Sequence, residues 1–129
     1  SYKIPAYALN AGELLHYQIS LISPESLIIC ISQSGESYEV IKLIEKLSSN
    51  ITVLSICNEK DSSLVKFSRY SLLCKAGKEE KTSTKTFITC YQVAYLLAMK
   101  LCNQEIDSTQ WHKLSKIMEI LHGCRKLLN

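Results

Sequence analysis

Hydrophobic positions along this chain alternate between short continuous blocks and helical stripes. Leu27 to Ile31 is an unbroken apolar run rich in β-branched residues. It is too short for a helix and predicts a strand buried on both faces of a parallel sheet. Val40, Leu43, Ile44 and Leu47 follow at i, i+3, i+4 and i+7, one stripe of an amphipathic helix. Ile51 to Ile56 predicts a second buried strand, Ser62 to Ser68 a short helix and Tyr70 to Leu73 a third, shorter strand. After a polar loop over Lys75 to Thr82, a helix from Ser83 to Cys102 carries Phe87, Tyr91, Ala94, Ala98 and Leu101 on one side. Asn103 to Ser108 breaks it. The last helix, Thr109 to Leu128, places Trp111, Leu114, Met118 and Leu121 in a stripe suited to core or subunit contact. Upstream, Ile4 to Leu9 predicts a short strand opened by Pro5, where proline costs no ladder bond. Ala11 to Ser20 reads as a helix with Asn10 as its cap and Leu14, Leu15 and Tyr17 among its apolar residues. Ser23-Pro24-Glu25 is a turn before the central strand.

Strands alternating with helices predict an α/β domain with a parallel sheet and right-handed crossovers. Ligands of such sheets bind beyond the carboxyl ends of the strands, where strand order reverses. Ser32-Gln33-Ser34-Gly35-Glu36-Ser37 lies at such an end, between the first apolar strand and its helix. The loop leading into Ser83 is expected to reach the same crevice.

The first backbone N–H groups of a helix have no partner within it, and the helix dipole adds partial positive charge there. Phosphate is the usual occupant of such a place. Ser32, Ser34 and Ser37 offer hydroxyl donors, and Gly35 admits backbone angles that other residues resist. No lysine or arginine lies in the turn, so an anion there rests on neutral donors and the dipole. The same residues also suit an ordinary N-cap, in which a hydroxyl satisfies one orphan N–H. The two readings are compatible.

Composition narrows the picture. At 129 residues, with 47% hydrophobic and 21% charged positions, the chain has room for one domain and a sizeable core. A net charge of +3 with scattered basic residues argues against nucleic acid as a partner. No apolar run reaches the length of a membrane span, and Ser1 to Asn10 lacks the form of a signal peptide. The six cysteines include no Cys-x-x-Cys pair, and only Cys124 has a nearby histidine, His122. They read as small apolar core residues of a protein in a reducing cytoplasm, with no metal bound.

Ser-Gln-Ser-Gly-Glu-Ser after an apolar strand resembles the phosphosugar loop of the sugar isomerase (SIS) domain family. Three further stretches agree in order: Ile56-Cys57-Asn58 with Ser62-Ser63-Leu64, then Ala76-Gly77 with Glu79, then Ser83-Thr84-Lys85-Thr86-Phe87. Together they cover roughly residues 26 to 101 and are most similar to the first SIS half of the isomerase part of glutamine–fructose-6-phosphate aminotransferase. The resemblance implies a three-layer α/β fold of flavodoxin-like topology, a hexose phosphate ligand, no cofactor and a homodimer. It also implies that residues 1–129 are one SIS domain of a two-SIS protein, lacking the family's first strand and helix, with its Gly-x-Gly-(Thr/Ser)-Ser loop.

The resemblance places Ser32, Gln33, Ser34 and Ser37 on phosphate and Ser83 towards the sugar hydroxyls. Ser37 stands where threonine is more usual, and Lys81-Thr82 replaces small apolar residues. The family's chemistry is ring opening of a hexose 6-phosphate, then proton transfer between C1 and C2. Its acid–base groups come mostly from the second half. Two candidates for such a role remain here. Ala11-Gly12-Glu13-Leu14-Leu15-His16 looks like the stretch that carries the ring-opening histidine, although in a first half that position varies. Glu79 is a loop carboxylate that could abstract a proton. For each, a solvated surface charge is the alternative, and His112 and His122 read as surface residues. SIS domains also serve as non-catalytic sensors in regulators, and a deaminase or deglycase of amino-sugar phosphates would use the same anchor. The run from Glu79 to Phe87 looks more like the enzymes.

Overall fold

In the computed structural model the described residues are 5–77 and 84–105, with residue 109. Three strands, β1 (Leu27–Ile31), β2 (Thr52–Cys57) and β3 (Tyr70–Leu73), form one sheet in the order β1-β2-β3. Both pairings are parallel, running from Leu27 opposite Thr52 to Ile31 opposite Ile56, and from Leu54 opposite Tyr70 to Cys57 opposite Leu73. Parallel neighbours need a crossover. Helices α2 (Tyr38–Lys46) and α3 (Ser63–Phe67) supply the two. In chain order α1 (Ala11–Glu13) precedes the three strands and α4 (Thr84–Leu101) follows them.

One core cluster lies on the α2 face of the sheet, and Leu54 and Ile56 of β2, at 8% and 0% exposure, are buried on the opposite face. Cys30 of β1, Val53 and Cys57 of β2, Val40 and Ile44 of α2 and Leu64 of α3 form one buried cluster. Leu43, at 2% exposure, turns to the other side of α2 and packs with Leu14 and Leu15. The apolar stripe expected of α2 therefore divides between two neighbours. A polar contact sits inside the sheet, where the fully buried Ser55 donates to Ser71 Oγ at 2.8 Å.

Four details depart from the sequence pattern. β1 is not buried on both faces, because Leu27, Ile29 and Ile31 remain 42%, 40% and 51% exposed. Their side chains alternate away from the α2 face. Residues 5–10 form no strand, and no ladder bond joins their backbone to another described residue. The segment from Ala11 is a helix of mixed pitch: α1 passes into a π-helical turn at Leu14–Gln18 and a 3-10 turn at Ile19–Leu21. The change of pitch accompanies burial of the adjacent Leu14 and Leu15 together against α2. On α4 it is Thr86 and Cys90 that are buried, whereas Phe87 and Tyr91 are exposed.

Other expectations hold. Asn10 caps α1, its Oδ1 accepting from Gly12 N at 2.8 Å and Glu13 N at 3.3 Å. Ser23 to Ser26 is a turn, closed by Ser26 N to Ser23 O at 2.9 Å.

Contacts divide the chain into two compact units, Ser1–Tyr95 and Leu96–Asn129. In the second, α4 ends at Leu101 and is followed by Asn103, whose φ of 51° permits the bonds Gln104 N to Met99 O and Asn103 N to Lys100 O. This is the usual left-handed helix terminator. The expected last helix, with Trp111, Leu114, Met118, Leu121, His112, His122 and Cys124, lies outside the described residues.

Candidate functional site

The turn from Ser32 to Ser37 lies beyond the carboxyl end of β1, at the start of α2. It extends the parallel ladder before leaving it. Ser32 N–H donates to Ile56 C=O, and Asn58 N–H donates to Gln33 C=O, each at 3.1 Å. Past that point the loop folds on its own hydroxyls: Gly35 N–H donates to Ser32 Oγ and Glu36 N–H to Ser34 Oγ, both at 3.2 Å. Ser32 and Ser34 are half-buried, and the Gln33 side chain is exposed.

Ser37 is the N-cap residue of α2 by backbone angle, with φ −60° and ψ 122°, yet its hydroxyl caps nothing. It donates instead to Glu39 Oε2 at 3.3 Å. The first ladder bond of α2 is Ile41 N to Ser37 O. Among the described residues no side chain caps the N–H groups of Tyr38, Glu39 and Val40. These are the orphan donors of a helix start.

The loop is held from behind by α3. Glu36 Oε1 accepts from Ser63 N–H at 2.7 Å, and Gly35 C=O accepts from Leu64 N–H at 3.0 Å. The hydrogen bond from Ser63 holds the Glu36 carboxyl below the ordinary glutamate range, and Lys66 adds a smaller pull in the same direction. Gly35 has φ +67°, and a Cβ there would sit 2.2 Å from Ser62 Oγ and 2.5 Å from Ser62 Cβ. Only glycine fits that place. Ser62 in turn caps α3, accepting from Val65 N–H at 3.4 Å.

Asn58 joins the third strand to the arrangement. Its Oδ1 accepts from Ala76 N–H at 2.8 Å, and its Nδ2 donates to Gly77 C=O at 3.0 Å. The loops that follow all three strands are thereby linked at one end of the sheet. A depression of about 210 Å³ lined by Ser49, Asn50, Thr52, Phe67 and Arg69 lies at the opposite, amino end. It shares no residue with this turn.

The structure brings Ser32, Gln33, Ser34 and Ser37 together in one turn. His16 is exposed in the π-helical segment, its ring 6.2 Å from that of Tyr17, and no described hydrogen bond connects it with the turn. Glu79 and Ser83 lie outside the described residues. Sequence reasoning missed the clasp formed by Glu36, Ser62 and Ser63 and the part of Asn58. A glycine in a turn shows that space is needed, but not which distant residue takes it.

A family model described as "SIS domain" matches residues 2–100. The chain is 32% identical over 127 residues to glutamine–fructose-6-phosphate aminotransferase of Chlamydia muridarum, covering 96% of this chain and 20% of that protein. It is 34% identical over 101 residues to the same enzyme of Acidithiobacillus ferridurans, covering 76% of this chain and 16% of that one. The chain thus spans about a fifth or less of the curated relatives it matches. A Bacteroides fragilis structure, described as a phosphosugar isomerase involved in capsule formation, superposes with a TM-score of 0.64 at 21% identity. That match covers 76% of this chain and 56% of the other. A Listeria monocytogenes structure described as a sugar-phosphate isomerase gives 0.59 at 18% identity, covering 80% and 58%.

Proposed function

The chain belongs to the SIS domain family, and from that membership we propose that it is the phosphosugar-binding domain of a hexose 6-phosphate isomerase or aminotransferase-isomerase. Phosphate rests on the N–H groups that open α2, with the hydroxyls of Ser32, Ser34 and Ser37 and the Gln33 side chain around it. One observation carries the reading: among the described residues no side chain caps the first N–H groups of α2, although three serines stand beside them. A helix start that needed only a cap would use Ser37 for it.

The anchor is neutral. Helix dipole and hydrogen bonds hold the anion in place of lysine or arginine. Phosphate fixed in this way positions the sugar carbons for proton transfer between C1 and C2, an entropic contribution to catalysis. The groups that move the proton belong to other parts of the assembled enzyme, and Ser83 meets the sugar hydroxyls. A homodimer accompanies the reading. Phe87, Tyr91 and Tyr95 recur every fourth residue on α4, at 73%, 67% and 44% exposure, an apolar row suited to a second copy.

Thermal denaturation with fructose 6-phosphate, glucosamine 6-phosphate and fructose tests the proposal. A ligand at a hundred times its Kd stabilises by about 2.7 kcal/mol. The phosphorylated sugars are expected to raise Tm and fructose to leave it unchanged. Equal shifts from fructose and its phosphate would overturn the anchor.

A further inference from the structure

Cys74, at the end of β3, and Cys90, in α4, bring their sulfur atoms to 3.3 Å. Both are thiols in this structure. We propose that the two form a modification site, a dithiol that a small-molecule disulfide converts to an intramolecular Cys74–Cys90 bridge. A disulfide bond is roughly 2.0 Å long, so closure needs little more than an ångström of approach.

The scaffold holds both partners in place. Cys74 N–H donates to Cys57 C=O at 2.8 Å, which extends the β2–β3 ladder to the cysteine itself. Cys90 sits one turn after the fully buried Thr86 on the packed side of α4. Cys74 is half-buried and Cys90 only 7% exposed. This difference orders the chemistry. The Cys74 thiolate attacks one sulfur of the reagent RS–SR, forming a mixed disulfide and expelling RS⁻. Cys90 then loses its proton and attacks the Cys74 sulfur, closing the bridge and expelling the second RS⁻. The two cysteines are oxidised by two electrons, the reagent is reduced to two thiols, and the cysteine protons pass to those thiols. Attack by a thiolate through a mixed disulfide is the general route for such exchange.

The other described thiols of the first unit are poor substitutes. Cys30 lies in the core cluster, where burial pushes its thiol up to about 11. Cys57 is fully buried, with its sulfur 3.8 Å from Ser62 Oγ and 3.5 Å from Glu59 C=O. The bridge would close a ring containing Ala76 and Gly77, the residues that Asn58 binds. Oxidation would thus brace the loop after β3 covalently. Bridges of this kind in reducing compartments are transient and redox-responsive.

The test uses the full chain in its folded state. It is incubated with oxidised glutathione, alkylated under acid quench, digested and mapped by mass spectrometry. The expected product is a Cys74–Cys90 linked peptide, reversed by dithiothreitol, with Cys30 and Cys57 still alkylated once unfolded. Cys90→Ser is expected to stop at a glutathione adduct on Cys74, and Cys74→Ser to leave Cys90 as a thiol. A Cys57–Cys74 bridge in the folded chain, a lasting glutathione adduct on wild-type Cys74, or a bridge formed only in urea would each overturn the proposal. If either variant fails to fold, the wild-type map decides alone.

Discussion

The Glu36 carboxylate accepts the backbone N–H of Ser63 at 2.7 Å across a sequence separation of 27 residues. Glu36 belongs to the turn after β1, and Ser63 opens the short helix after β2. The bond fixes one strand's loop to the next strand's helix. It also directs Glu36 to α3 and away from the start of α2, where a carboxylate would compete with a bound anion. Glu36→Ala is therefore expected to weaken phosphosugar binding several-fold in calorimetry, and Glu36→Gln, which keeps an acceptor oxygen, to weaken it less. Equal affinity in wild type and Glu36→Ala would remove the clasp from the binding mechanism.

The same bond predicts a pH dependence. Glu36 has a depressed pKa in the folded chain. Its contribution to stability is fully present above the unfolded glutamate pKa and is lost as pH falls through the lower folded value. Wild type should lose stability on acidification more steeply than Glu36→Gln. Parallel curves for the two proteins in denaturant titrations below about pH 5, where unfolded glutamate begins to protonate, would contradict this.

Gly35→Ala adds a Cβ 2.5 Å from Ser62 Cβ at a φ of +67°. The left-handed backbone alone costs on the order of 1–3 kcal/mol for a non-glycine residue, and the collision adds to it. Urea unfolding should show a loss of about 2 kcal/mol or more. Ser62→Gly in the same chain should restore part of that loss, because it removes the collision and leaves the backbone strain.

Ser34→Ala and Ser37→Ala separate binding from folding. Ser37 makes no capping bond, and Ser34 accepts from a single exposed amide. Each hydroxyl lost to an ionised phosphate should cost about 1.5–3 kcal/mol of affinity. Tm without ligand should barely change. A large fall in Tm with unchanged affinity would give these serines a structural role only.

Leu43→Ala tests the division of α2 between two neighbours. Leu43 is 2% exposed against Leu14 and Leu15. Removing a buried leucine costs about 2–5 kcal/mol, and the loss should appear in the urea midpoint. Leu47→Ala, at a partly buried position of the same stripe, should cost less.

The order of elements was legible in the sequence because each depends on local periodicity. Apolar blocks of four to six residues became β1, β2 and β3 within a residue of their expected ends, and Asn10 became a cap. The serine-rich turn was legible for the same reason: strand, glycine and helix stripe are contiguous. Tertiary structure alone decided which face of each element is covered. Leu27, Ile29 and Ile31 are as apolar as Ile28 and Cys30, yet only the latter meet α2, since burial depends on what lies opposite. Phe87 and Tyr91 are more apolar than Thr86, yet Thr86 is the buried one. Only the fold brought Glu36 to Ser63, Gly35 to Ser62 and Cys74 to Cys90. Local pattern sets the backbone's shape, whereas contacts between distant residues depend on how strands pair and crossovers return, which no short window of sequence contains.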